Sequence, residues 1–365
     1  MTTLSKRALN RALLARQMLL ARERTTAVAA IERLVGMQAQ LARPPFVGLW
    51  TRVHDFRRGE LAEALRKRTV VRVTLLRGTL HLLSAGDYLA LRGAMQPMLT
   101  SGMQAILRER ATALDLKTLD AAARKFFGRT PATFDALRAH LKAAFPEGDE
   151  RAMAYAIRMH LPLVQVPTDA TWAFPAAADF ALADAWLSRK VSTVASAPDA
   201  LVLRYLAAFG PATPADAQAW SGVGGLRDTF ESLRPSLVTF RDERKRELFD
   251  LPDAPRPDPD TPAPPRFIAD FDNLVLAHDD RSRIMADEHR SRVTTKNLQV
   301  RATFLVDGLV AGTWKSERKR KTAVLVMEPF GSVAKRVRTA LEQEGESLLS
   351  FVEEDATARE IRWSA

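Results

Sequence analysis

The chain contains no cysteine. That absence excludes disulfides, thiolate zinc sites, iron–sulfur clusters and cysteine nucleophiles together. The six histidines (His54, His81, His140, His160, His278 and His289) are scattered, with no His-x-x-x-His or His-Glu-x-x-His pair. Such spacing speaks against a metal enzyme. No apolar run reaches the length of about 18 residues that a membrane span requires. The N-terminus alternates arginine with leucine where a signal peptide carries an unbroken apolar stretch. A soluble, cytoplasmic protein is expected, with no membrane partner, no metal and no cofactor.

What is present is positive charge, unevenly spread. Residues 1–112 carry 19 Lys+Arg against 7 Asp+Glu, and residues 281–339 carry 14 against 5. Between them, residues 113–280 carry 19 against 24. Two basic blocks flank an acidic middle, and if both fold toward one face they form a channel for a polyanion, nucleic acid above all. At 365 residues with 47% hydrophobic content, the chain is long enough for about two to four modest cores.

Periodicity divides the chain. In "LSKRALNRALLARQMLLARER", Leu9, Leu13 and Leu20 share a helical stripe. "TTAVAAIERLV" opens on the N-cap candidates Thr25 and Thr26 and stops at Gly36. "RRGELAEALRKRT" predicts another helix, and "VVRVTLLRGTLHLLS" predicts two strands about Arg77-Gly78. Helices followed by a hairpin are a winged-helix layout, and it recurs twice. The second copy starts its middle helix at Thr130-Pro131; the third contains "GPATPADAQAWSG", the clearest helix–turn–helix signal. The fold class expected is α+β: winged helices at 1–112, 113–195 and 196–253, a proline-rich linker at 254–266, and a β-domain at 267–365 with a basic hairpin and a terminal helix. Seven prolines between residues 251 and 266 make that linker stiff and extended.

Four stretches then carry a resemblance: "LSKRALNRALLARQMLL", "AAIERLVGMQAQLARPPFVGLWTRV", "RGTLHLLSAGDYLAL" and "FDNLVLAHDDRSRIM". Together they resemble the AlkZ/AlkX family of bacterial DNA glycosylases, tandem winged-helix proteins with a C-terminal β-domain, over essentially the whole chain. The resemblance implies excision of N7-alkylated purines and, in members, unhooking of interstrand crosslinks. The family's catalytic signature is Gln-Φ-Gln or Gln-Φ-Asp, with Φ apolar. Gln38-Ala39-Gln40 matches the first form, closer to the AlkZ branch.

The chemistry can be weighed apart from the name. Glycosidic hydrolysis ordinarily recruits carboxylates to activate water and leaving group. An N7-alkylated purine is already a cation and leaves as a neutral base without protonation. Gln38 and Gln40 then suffice by positioning: their amides orient water and lie against the developing positive sugar. Residues i and i+2 share a face only in extended chain. Residues 37–41 are therefore expected to leave helix, with Met37, Ala39 and Leu41 turned into the core. No lysine adjoins the pair in sequence to form a Schiff base, so the reading is a monofunctional glycosylase.

Candidate contacts to double-stranded DNA are Arg43, Arg72 and Arg77 near the motif, the hairpin tip Arg244, Lys245 and Arg246, and the basic run Lys315, Arg318, Lys319, Arg320 and Lys321. Trp50 is read as core, and His278 with Asp279-Asp280 as a structural or ion-pairing cluster. The alternative reading is a non-catalytic winged-helix regulator. An RNA-binding protein explains the charge but not Gln-x-Gln.

Overall fold

Helix starts are set locally, by side chains that accept the backbone N–H groups a first turn leaves unpaired. Ser5 caps the helix Lys6–Arg16, Thr26 caps Ala27–Arg33, and Thr213 with Asp216 forms a capping box ahead of Pro214–Ser221. The computed structural model describes residues 2–128 and 130–364. Among them are fifteen α-helices and three small sheets.

The first sheet has the order Met37–Gln38, Leu80–Ser84, Val70–Thr74, Leu163–Gln165, Phe180–Leu182, antiparallel throughout. The first two expected units therefore share one sheet instead of carrying separate wings, joined where Val73 lies opposite Val164. Both valines are buried, and a lone two-stranded wing is marginal in water. In the second sheet, Val238–Asp242 pairs with Glu247–Asp250, and Thr3–Leu4 joins in parallel. The chain's start thus completes the third unit. The third sheet runs Ala358–Trp363, Thr322–Pro329, Leu309–Lys319, Thr303–Val306, Arg266–Ile268. The helix Lys335–Val352 crosses over to make the parallel pair of Thr322–Pro329 with Ala358–Trp363. That last strand was not anticipated.

Three other expectations change. Pro44-Pro45, not anticipated as a helix start, heads the helix Pro44–Arg52, where the missing proline N–H costs nothing. The helix Ala85–Leu107 was unforeseen, because it is buried on several sides and shows little periodicity. The middle helix of the second unit starts at Phe134 under a Thr133 cap, not at Thr130-Pro131. The proline-rich connector forms no helix or strand and is pinned to the first helix: Arg11 Nε donates to the Thr261 carbonyl at 2.7 Å and Arg16 Nη2 to that of Pro255 at 3.3 Å.

The largest core cluster packs Leu13 and Leu14 of the first helix against Tyr205, Phe209 and Trp220 of the third unit and Ile284 beyond the connector. A second cluster, with Met37, Ala39, Phe46 and Leu49, lies under the Gln-x-Gln segment. Each large side chain buried there contributes about 1.5–3 kcal/mol, so the motif rests on a floor that resists displacement.

Candidate active site

The Gln-x-Gln segment leaves helix as its spacing requires. Past the helix Ala27–Arg33, Gly36 takes φ 87, and a Cβ there would meet Leu82 O and Leu83 Cγ at 3.0 Å. Met37 then lies opposite Leu82, Gln38 opposite His81, and Ala39 N donates to Leu80 O at 2.7 Å. Met37 and Ala39 turn into the core. Leu41 does not: it is 52% exposed, because pairing ends at Ala39 and the chain bends away to enter the helix at Pro44. Gly48 of that helix accommodates the motif closely, since a Cβ there would stand 2.4 Å from Met37 Cε.

Of the three arginines expected near the motif, Arg72 and Arg77 meet it and Arg43 turns to the long hairpin. Arg72 is buried, donating to Ala39 O at 2.9 and 2.6 Å and to Gln40 O at 3.3 Å, with its guanidinium 4.7 Å from the Phe174 ring. Burial pushes its pKa down to about 10. Its guanidinium thus holds the motif by two carbonyls. Arg77, at φ 53, donates from Nη2 to Gln38 Oε1 at 2.7 Å and to Asn273 Oδ1 at 3.1 Å, and from Nη1 to the Trp220 carbonyl. Burial, and then the charge of Arg281, push its pKa down to about 10. Because arginine only donates, it fixes the orientation of both amides: their oxygens face Arg77 and their NH2 groups face away. Arg43 reaches Ser316 Oγ at 2.8 Å, which brings the N-terminal basic block against the long hairpin. Its Nη2 lies 4.0 Å from Asp270.

Gln38 is buried, and Gln40 is exposed, its Oε1 accepting a long 3.4 Å bond from Leu80 N. Beside Gln38, His81 is buried with Nδ1 at 3.1 Å from Thr79 O. Burial, and then the charge of Arg77, push its pKa down to about 3, so it is neutral at pH 7. A small cavity next to Gln38, about 10 Å³, is bounded by Asp270, Asp272 and Asn273. A larger cleft of about 660 Å³ opens beyond Asp270, lined by Arg301, Trp314, Lys315 and Arg362. Asp272 is fully engaged, in a buried two-pronged pair with Arg52 at 2.8 and 2.9 Å. Of these residues, sequence reasoning missed Asp270, Asn273 and His81. The stretch "IADFDN" has no spacing signal, and only its distance from Gln38 in space marks it.

The remaining candidates lie on two hairpins. Arg246 is tied to Asp242 and Asp280, each at 2.7 Å, and Arg244 to Asp280 at 3.2 Å, while Lys245 is exposed on the same turn. That hairpin belongs to the second sheet. Lys315 lines the cleft and pairs with Glu317 at 2.8 Å. Arg318 pairs with Glu353 and Asp355 at 3.4 and 3.1 Å. Lys319, Arg320 and Lys321 form the exposed end of the long hairpin and make no ion pair among the described residues. Trp50 is half-buried, with Arg22 at 4.3 Å over its ring and Phe351 at 5.9 Å. His278 is buried, with Nε2 at 3.0 Å from Phe209 O. Its pKa is pushed down to about 3 by burial first and then by Arg283, which suits a structural role.

Gln38 on an edge strand, Gln40 just past its end and a basic cleft beyond Asp270 sit on a mixed helical and three-sheet frame, a surface suited to a polyanion. The chain belongs to the AlkZ-like DNA glycosylases, whose family model, "DNA glycosylase AlkZ-like", matches residues 31–351. It is similar to the solved structure of Streptomyces sahachiroi DNA glycosylase AlkZ, with a TM-score of 0.79 and 20% identity over 100% of both chains. At that identity the likeness concerns the fold. No curated protein sequence matches the chain. Family membership makes DNA the partner and sets aside the non-catalytic regulator. No helix among the described residues is long and apolar enough to cross a membrane.

Proposed function

We propose that this glycosylase hydrolyses the N-glycosidic bond of N7-alkylated, cationic purines in double-stranded DNA, crosslinked purines among them, and acts as a monomer. The observation that carries the reading is a pair of neutral amides at one sheet edge, Gln38 on the edge strand and oriented by Arg77 at 2.7 Å, and Gln40 two residues on, just past the strand. A carbonyl oxygen has two lone pairs, so Gln38 Oε1 accepts from Arg77 and still accepts from a water. Such a pair positions and stabilises but does not protonate a leaving base, so it acts on a base that already carries positive charge. The cleft beside it is broad, lined by Arg301, Lys315 and Arg362. A base still tethered to the opposite strand needs such a cleft, because it cannot be swung into a closed pocket.

The test is base release from duplex DNA carrying N7-methylguanine, and then a bulkier N7-benzyl adduct, by wild type and by the Gln38→Ala, Gln40→Ala double variant. Wild type should release base, and the variant should bind duplex equally without releasing it. Wild type that binds both duplexes yet releases neither base overturns the reading.

A further inference from the structure

The Gln-x-Gln strand brings no carboxylate to the site, yet another part of the chain does. Asp270 follows the strand Arg266–Ile268, and Phe271 after it takes φ 59, a conformation costly for a bulky side chain. That turn separates two neighbouring carboxylates. Asp272 enters the fork of Arg52, while Asp270 is the one residue that borders both the 10 Å³ cavity beside Gln38 and the 660 Å³ cleft. About 10–15 Å³ is what a single water requires.

A second observation marks the small cavity as a binding place. Asn273 lines it and is only 5% exposed. Its Oδ1 is taken by Arg77 at 3.1 Å, but its Nδ2 has no hydrogen-bond partner. A buried NH2 without an acceptor is costly, and a water held there satisfies it. The cavity thus offers a donor from Asn273, the second lone pair of Gln38 Oε1, and an acceptor carboxylate.

We propose that Asp270 is a further catalytic residue: its carboxylate accepts the proton of the attacking water, which Asn273 and Gln38 hold from the other side. The inference rests on the function proposed above. In the step, the water oxygen bonds to C1′ as the C1′–N9 bond breaks. The electron pair of that bond returns to the alkylated purine and discharges its positive charge. The proton released from water passes to Asp270 and on to solvent.

The charged surroundings suit the role. Arg43 stands 4.0 Å from the carboxylate. Arg52 and Asp272 face it across the small cavity, already paired with each other. Arg301, Lys315, Arg362 and Glu328 face it across the cleft. Burial outweighs the pull of Arg43 and holds the carboxyl above its ordinary range, which makes it the stronger base near neutral pH.

The experiment compares wild type with Asp270→Asn and Asp270→Glu in single-turnover release of N7-methylguanine, or of the N7-benzyl adduct, from pH 4 to 9. Duplex affinity and thermal midpoint are measured alongside. Asparagine keeps the Oδ1 acceptor for the Ala302 amide, now at 3.3 Å, so the fold has no reason to fail. Asp270→Asn should bind duplex as wild type does, release base about 10²-fold more slowly, and lose the acid limb of the pH profile. Asp270→Glu should retain that limb. Release by Asp270→Asn within about threefold of wild type, or slow release with an unchanged pH profile, overturns the proposal. A wild-type rate flat down to pH 4, the ordinary carboxylate range, does so even if the asparagine variant does not fold. Wild type that releases neither base removes the functional reading itself, and this inference with it.

Discussion

Replacing Arg72 with methionine separates a clamp from a DNA contact. Its guanidinium donates twice to Ala39 O and once to Gln40 O, and covers Phe174 at 4.7 Å. Methionine keeps much of the apolar stem but leaves the Ala39 carbonyl unpaired, a loss of about 1–3 kcal/mol. The missing cation–π contact costs about 0.5–2 kcal/mol more. Against this stands the relief of no longer burying a cation that has no carboxylate partner, an effect of similar size and opposite sign. The net destabilisation should therefore stay within about 2 kcal/mol, a fall of a few degrees in thermal midpoint for a chain of this size. The catalytic effect should be larger, because a loosened motif misplaces Gln38 and Gln40, and a displacement of about 1 Å costs on the order of 10²-fold in rate. The assay pairs single-turnover base release with duplex affinity across a salt series. Release should drop while the slope of log affinity against log salt stays unchanged. A slope shallower by about 0.9, the signature of one lost phosphate contact, with release intact, would refute the assignment.

Two further outcomes follow from the site and its rim. His81 has a folded pKa of about 3, far below its ordinary value near 6.5, so the unfolded chain takes up a proton that the folded chain refuses. Stability should therefore fall as pH drops from about 6.5 toward 3, by up to about 1.4 kcal/mol per pH unit from this residue. Urea unfolding at pH 7 and pH 5 should show a smaller pH difference for His81→Gln than for wild type, and an equal difference contradicts the burial argument. At the hairpin end, replacing Lys319, Arg320 and Lys321 with alanine should make the salt slope shallower by about 0.9 for each phosphate these residues contact. Release at saturating enzyme should be unaffected, and an unchanged slope removes the hairpin from the DNA interface.

Much that is local was legible in the sequence. The cap read at Thr26 acts on its own backbone three residues on, as do the caps at Ser5 and Thr213, and the third unit's hairpin was read from its flanking apolar strands. The extended Gln-x-Gln segment was likewise legible from its spacing, up to the bend that exposes Leu41. The tertiary structure decided which arginines meet the motif. Arg72 and Arg77 read as candidate DNA contacts until the fold brings them to Ala39 O, Gln38 and Asn273, contacts separated by 33, 39 and 196 residues. Packing alone also set the sheet shared by the first two units and the place of Asp270 between two cavities. The physical reason is common to these cases. A cap or a turn is satisfied by neighbours in sequence, whereas a buried charge or amide takes its role from partners that only the folded chain brings within hydrogen-bonding distance.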